Sequence, residues 1–243
     1  MEKVNILGVN VDNVTMESAV LRVMNFLEGD APHAVFTPNS EIIMVAYKDE
    51  QFCKALNEAS LIVPDGIGVV YASRILKAPL SERVAGFDLA SNVIEKLSDG
   101  SKSFYFFGGK PGVAELAKEN LLKKYPKLSV CGIQDGYFDA EKEAAIIEDI
   151  KEKKPDILFV CLGAPKQEKW INEHKNELGA KVLMGIGGSL DVFAGTVDRA
   201  PKFYQEHGLE WFYRLLKQPS RFVRMLALPK FGMTVLFKGK RLK

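Results

Sequence analysis

Short runs of apolar and β-branched residues alternate along this chain with stretches whose apolar positions recur every three or four residues. Val4–Val9, Ala34–Thr37, Leu61–Val63, Phe104–Phe107, Leu128–Ile133, Ile157–Leu162 and Val182–Ile186 read as strands. Met16–Leu27 reads as a helix with Ala19, Val20, Val23 and Leu27 on one face. Further helical sequence runs from Ser40 to about Glu58, from near Ile67, and over Val113–Tyr125, Ala140–Lys153 and Lys166–Asn176. Strands alternating with helices predict an α/β fold: a Rossmann-like, mainly parallel sheet with helices on both faces. The alternation stops after about Ala194, and from Pro201 the sequence turns aromatic and basic. Residues 1–195 therefore read as one α/β domain and 196–243 as a helical, basic appendage.

Charge sharpens that division. The 243 residues carry 33 Lys+Arg and 31 Asp+Glu, a net of +2. From Arg199 onward, however, eleven basic residues meet only Glu206 and Glu210, so the tail holds +9 and the rest −7. A mildly acidic body with a basic end points to an anionic partner: phosphates, a nucleic acid or a membrane surface. Arg214, Lys217, Arg221 and Arg224 would form one stripe on a continuous helix, interleaved with apolar residues, although Pro219 interrupts it. The stripe fits a solvated helix face as well as a lipid-binding one. No RNA-binding motif accompanies the charge, so nucleic acid is not expected.

The remaining composition excludes other classes. At 47% hydrophobic and 26% charged, the chain is neither disordered nor a disulfide scaffold. Cys53, Cys131 and Cys161 form no C-x-x-C pair, and His33, His174 and His207 have no ligand spacing, so no metal site is expected. The N-terminus lacks a signal-peptide pattern, and the greasiest stretch, Phe222–Phe237, is broken by Arg224, Pro229, Lys230 and Gly232. The expectation is a reduced, cytoplasmic protein that lies on a membrane without crossing it.

In a parallel sheet, ligands bind beyond the carboxyl ends of the strands. Five such ends carry turn-forming or polar sequence: Thr37-Pro38-Asn39, Pro64-Asp65-Gly66, Gly108-Gly109, Gly163 to Glu168, and Gly187-Gly188-Ser189-Leu190-Asp191. Any one glycine turn is ordinary, but several on one edge point to a nucleotide or other phosphorylated ligand. The run Gly108-Gly109-Lys110-Pro111-Gly112, with Asp135 after the next strand, invites a nicotinamide-enzyme reading. Its spacing is G-G-x-x-G instead of G-x-G-x-x-G, which makes that the second choice. Asp65 fits either an N-cap for the helix near Ile67 or a general base, and Asp191 carries the same ambiguity. No Asp-x-Asp motif occurs, so a transferase built on this chain would hold its leaving diphosphate without a divalent cation.

Taken in order, these segments resemble the TagA/WecG/CpsF family, glycosyltransferase family 26. The runs that carry the resemblance are Thr37-Pro38-Asn39, Val63 to Val70, Glu82 to Leu89, Phe106 to Gly109, Gly136-Tyr137-Phe138, Leu162 to Trp170, Gly185 to Gly195, Arg199-Ala200-Pro201 and Gly208 to Leu215. Together they span nearly the whole chain. The resemblance implies an inverting enzyme that moves N-acetylmannosamine from its UDP donor to undecaprenyl-diphosphate-linked N-acetylglucosamine, at the cytoplasmic membrane face. It implies Asp65 as the base, with Thr37, Asn39 and Gln167 orienting the donor sugar or the attacking hydroxyl. Gly108, Gly109, Tyr137, Gly187, Gly188 and Asp191 would surround UDP. Arg83, Arg214, Arg221 and Arg224 would hold the acceptor diphosphate. No cofactor is expected; partners are the UDP-sugar, the lipid diphosphate and an anionic membrane surface, and self-association is left open.

Overall fold

The computed structural model describes residues 2–217 and 226–239. Its elements are β1 (Lys3–Ile6), β2 (Val9–Asp12), α1 (Met16–Leu27), β3 (His33–Phe36), α2 (Ser40–Ala46), α3 (Glu50–Asn57), β4 (Leu61–Ile62), α4 (Ile67–Ile75) and α5 (Gly86–Lys96). They continue with β5 (Ser103–Gly108), α6 (Val113–Lys124), β6 (Ser129–Gln134), α7 (Ala140–Lys153), β7 (Ile157–Cys161), α8 (Lys166–His174), β8 (Val182–Gly185) and α9 (Ser189–Phe193). The tail supplies α10 (Lys202–Glu206), α11 (Glu210–Lys217) and α12 (Ala227–Lys238). Six strands form one parallel sheet in the order β4-β3-β8-β7-β5-β6. The expected Rossmann-like α/β architecture is present.

Both faces of this sheet are buried, which is why its strands read as continuous apolar runs. Along β7 the side chains alternate: Leu158 and Val160 enter one core, Ile157, Phe159 and Cys161 the other. The first core lies under the β1–β2 hairpin, α2, α3, α4, α7, α8 and α12. The second lies under α1, α5, α6 and α9, around the packed rings of Phe104, Phe106 and Phe159. From the tail, Phe231 and Val235 of α12 are buried in the first core, against α2 and α4.

Two expectations change. Val4–Val9 is not one strand but part of an antiparallel hairpin outside the main sheet. Its two-residue turn, Leu7 (φ 53°) and Gly8 (φ 97°), has both residues left-handed, the geometry that matches strand twist. Leu7 accepts that strained backbone because its side chain is buried, and Asn57 of α3 clamps the hairpin through the Gly8 carbonyl and the Asn10 N–H. The Ser40–Glu58 helix is two helices, because Asp49 accepts the Phe52 N–H and caps α3. Helix α5 has no starting signal in the sequence, because its N-cap, Ala85, makes no side-chain hydrogen bond.

Asp12 anchors the hairpin to the sheet. Its fully buried carboxylate accepts the Ile62 N–H at 2.8 Å and pairs with Arg22 at 3.3 Å and Lys3 at 3.7 Å. Asp12→Ala leaves a buried N–H unsatisfied and removes the carboxylate on which Lys3 and Arg22 converge. An expected loss of about 2–4 kcal/mol follows, read as a lower urea midpoint.

Candidate active site

Because every strand of the sheet runs parallel, the ends of β3 to β8 open on a single edge. The ends of β5 to β8 enclose a cleft of about 350 Å³ lined by Gly109, Lys110, Gly136, Tyr137, Cys161, Leu162, Gly163, Gly187, Gly188 and Asp191. Five of the six residues expected around UDP, Gly109, Tyr137, Gly187, Gly188 and Asp191, therefore meet in one cavity. The sixth, Gly108, lies just below it. There φ is 132°, and a Cβ would collide with the Cys161 backbone, so glycine alone lets β5 and β7 close up at this height. The Gly109 N–H donates to the Cys161 carbonyl, and its own carbonyl accepts the Gly136 N–H.

The cleft combines an exposed ring, a carboxylate and a cation. Tyr137 is 61% exposed and stands at the rim as a surface on which a planar base can stack. Asp191, in the first turn of α9, faces Gly188. Lys110, inside the Gly108 to Gly112 run, adds a cation at the rim to which its spacing alone gives no role. Burial pushes the Cys161 thiol up to about 12, so it remains protonated and offers no nucleophile.

The other expected residues sit on the neighbouring strand ends. Thr37, after β3, is buried and donates to the Gly185 carbonyl of β8 at 3.1 Å. A Cβ on Gly86 would stand 2.7 Å from its hydroxyl oxygen, so α5 starts directly against it. Asn39 caps α2, its Oδ1 accepting the Glu41 and Ile42 N–H groups. Asp65 follows β4 and is half-buried. It is not the cap of α4: that position is Gly66, at φ 84°, beside Asn39. The cap reading for Asp65 is thereby corrected, and the left-handed turn explains why a glycine must follow it.

Gln167 is buried at 2% exposure, with its Nε2 donating to Glu168 at 2.9 Å and its Oε1 accepting the Gly187 N–H at 3.1 Å. It thus ties the β7 loop to the β8 loop that lines the cleft. Burial pushes the Glu168 carboxyl above the ordinary range, outweighing the Gln167 hydrogen bond. Arg83 pairs with Glu210 of α11 at 2.7 Å and with Asp88 at 3.9 Å, while Arg199 also reaches Asp88. The Arg214 side chain, and Arg221 and Arg224 entirely, lie outside the described residues, as does the interruption at Pro219.

A profile of the glycosyl transferase WecG/TagA/CpsF family matches residues 4–243. This chain belongs to that family. Among its relatives are proteins of Staphylococcus aureus strains MRSA252 and NCTC 8325 / PS 47, each 39% identical over 241 residues, covering 98% of this chain and 94% of theirs. Both are named N-acetylglucosaminyldiphosphoundecaprenol N-acetyl-beta-D-mannosaminyltransferase. Membership of a WecG/TagA/CpsF glycosyltransferase displaces the nicotinamide alternative. Its one residue-level support also has another role here. Burial pushes the Asp135 carboxyl up, but the Tyr137 N–H and the Lys142 ammonium outweigh it and hold it below the ordinary carboxylate range. That pairing makes Asp135 a clamp on the Tyr137 loop. No helix among the described residues is long and apolar enough to cross a membrane, and no group of three or more metal-binding side chains occurs among them.

Proposed function

We propose that this chain transfers N-acetylmannosamine from UDP-N-acetylmannosamine to the 4-hydroxyl of N-acetylglucosamine on undecaprenyl diphosphate. The observation that carries this reading is the 39% identity, over 98% of the chain, to relatives named for that transfer. In the step proposed, Asp65 takes the proton of the acceptor hydroxyl as its oxygen attacks the anomeric carbon. The bond from that carbon to the UDP oxygen breaks, and the configuration inverts. UDP would occupy the cleft at β5 to β8, with its base near Tyr137 and Lys110 opposing the diphosphate charge. Asn39 and Thr37 would border the sugar, and Gln167 would act through the Gly187 turn. Asp65 would then sit beyond the sugar, on the acceptor side.

The acceptor's diphosphate would meet Arg83, Arg214, Arg221 and Arg224. Membrane contact would come from the tail, where α12 exposes Met233, Leu236 and Phe237 beside Lys230 and Lys238. Each such lysine near an anionic leaflet contributes about 1 kcal/mol. The absence of an Asp-x-Asp motif in the sequence supports a metal-independent step.

The test is UDP release on mixing the protein, UDP-N-acetylmannosamine and a short-chain lipid-diphosphate N-acetylglucosamine. Turnover is expected and should be unchanged by EDTA. Saturable binding of a nicotinamide cofactor without UDP binding would reverse the assignment. EDTA inhibition relieved by a divalent cation would overturn metal independence alone.

A further inference from the structure

We propose that Glu168 is a positioning residue whose uncharged carboxyl fixes the Gln167 amide, and through it the Gly187 turn that borders the donor cleft. Its link to the donor rests on the function proposed above; its link to the turn does not. Glu168 is 1% exposed in the first turn of α8, and Gln167 beside it is 2% exposed. Glu168 Oε1 accepts from Gln167 Nε2 at 2.9 Å, while Glu168 Oε2 is buried with no hydrogen-bond partner among the described residues. A carboxylate here would have one side-chain donor, a neutral amide, for two charged oxygens, an arrangement that burial strongly disfavours. As a neutral acid, Glu168 presents its carbonyl oxygen to the amide and carries its proton on Oε2, so that no net charge is buried.

That oxygen determines which way the amide faces. With Nε2 satisfied by Glu168, Gln167 Oε1 accepts the Gly187 N–H at 3.1 Å. Reversing the amide would set its NH2 group against the Gly187 N–H, two donors face to face. Gly185 clears the space for this arrangement, since a Cβ there would come within 3.1 Å of Nε2. Gly187 itself, at φ 55°, lines the cleft with Gly188. A displaced amide therefore moves the wall of the cleft without removing any residue from it.

Three substitutions separate this role from a charged or purely structural one. Glu168→Gln keeps a carbonyl oxygen and no charge; Glu168→Asp keeps an acid one methylene too short; Glu168→Met fills the space with no acceptor. Each is assayed by thermal melting, calorimetric titration with UDP, and NMR hydrogen exchange at the Gly187 amide. Glu168→Gln is expected to match the unaltered chain within about twofold in UDP affinity and to keep Gly187 protected. Glu168→Asp and Glu168→Met should melt cooperatively yet lose about tenfold in affinity and expose the Gly187 amide. Glu168→Gln as impaired as Glu168→Met would overturn the proposal, since charge would then be required. So would folded Glu168→Asp with full affinity and protection. If Glu168→Met does not fold, the contrast between the Gln and Asp variants decides. If the unaltered chain binds no UDP, the donor assignment fails, and Gly187 exchange still decides the positioning role.

Discussion

Asp65→Asn is expected to lower turnover about a thousandfold while leaving UDP affinity unchanged. The side chain stands at the carboxyl end of β4, between Pro64 and the left-handed Gly66, and is half-buried. Gly66 occupies the cap position of α4, and asparagine is isosteric with the carboxylate, so that helix should stay in place. What asparagine cannot do is accept the acceptor's proton. The cleft proposed for UDP lies over β5 to β8, on other strand ends, so nucleotide binding should be untouched. Turnover with the lipid-diphosphate acceptor and calorimetric UDP titration measure the two effects separately. A variant retaining a tenth or more of normal turnover would remove Asp65 from the role of base.

Phe231→Ala should produce the second large effect, by loosening the tail. Phe231 is 3% exposed and packs in the core that contains Ile43, Val69, Ala72 and Leu76. Truncating a buried phenylalanine costs about 3–5 kcal/mol. Because α12 is the last described helix, much of that cost should fall on its own seating and less on the sheet. Amide exchange should then rise across 227–238 while the cleft residues stay protected. Turnover of the lipid acceptor is expected to drop at least about tenfold, with UDP affinity preserved. Accelerated exchange in α12 with full turnover would show that the seat of this helix plays no part in catalysis.

The sheet was legible because its physics is written locally. Ile157–Leu162 is apolar throughout, as a strand covered on both faces must be, and the structure places β7 there. The hairpin was hidden because Val4 to Val9 keeps an apolar pattern through a turn that uses Leu7, a residue rarely left-handed. Gly8, flanked at a distance by Asn5 and Asn10, was the available signal. The break before α3 was signalled by Asp49, a capping residue inside an otherwise continuous helical pattern. At the candidate site, the glycine turns disclosed the cleft, because glycine is needed wherever backbone approaches backbone or ligand. The commitments of polar side chains were not legible. That Gln167 reaches Gly187, or Arg83 reaches Glu210, depends on which loops the sheet brings together over 20 and 127 residues of separation. Spacing within one loop carries no record of that.

The tail is fastened to the body by two unlike means. Around α11 the fastening is ionic: Arg83 with Glu210 at 2.7 Å, and Arg83 and Arg199 converging on Asp88. At α12 it is apolar, through Phe231 and Val235. Added salt weakens the first, modestly because its side chains are largely buried, whereas cooling weakens the second and spares the first. The two ends of one segment therefore respond to different conditions. Raising the salt is expected to loosen α11 before α12, and cooling to loosen α12 before α11.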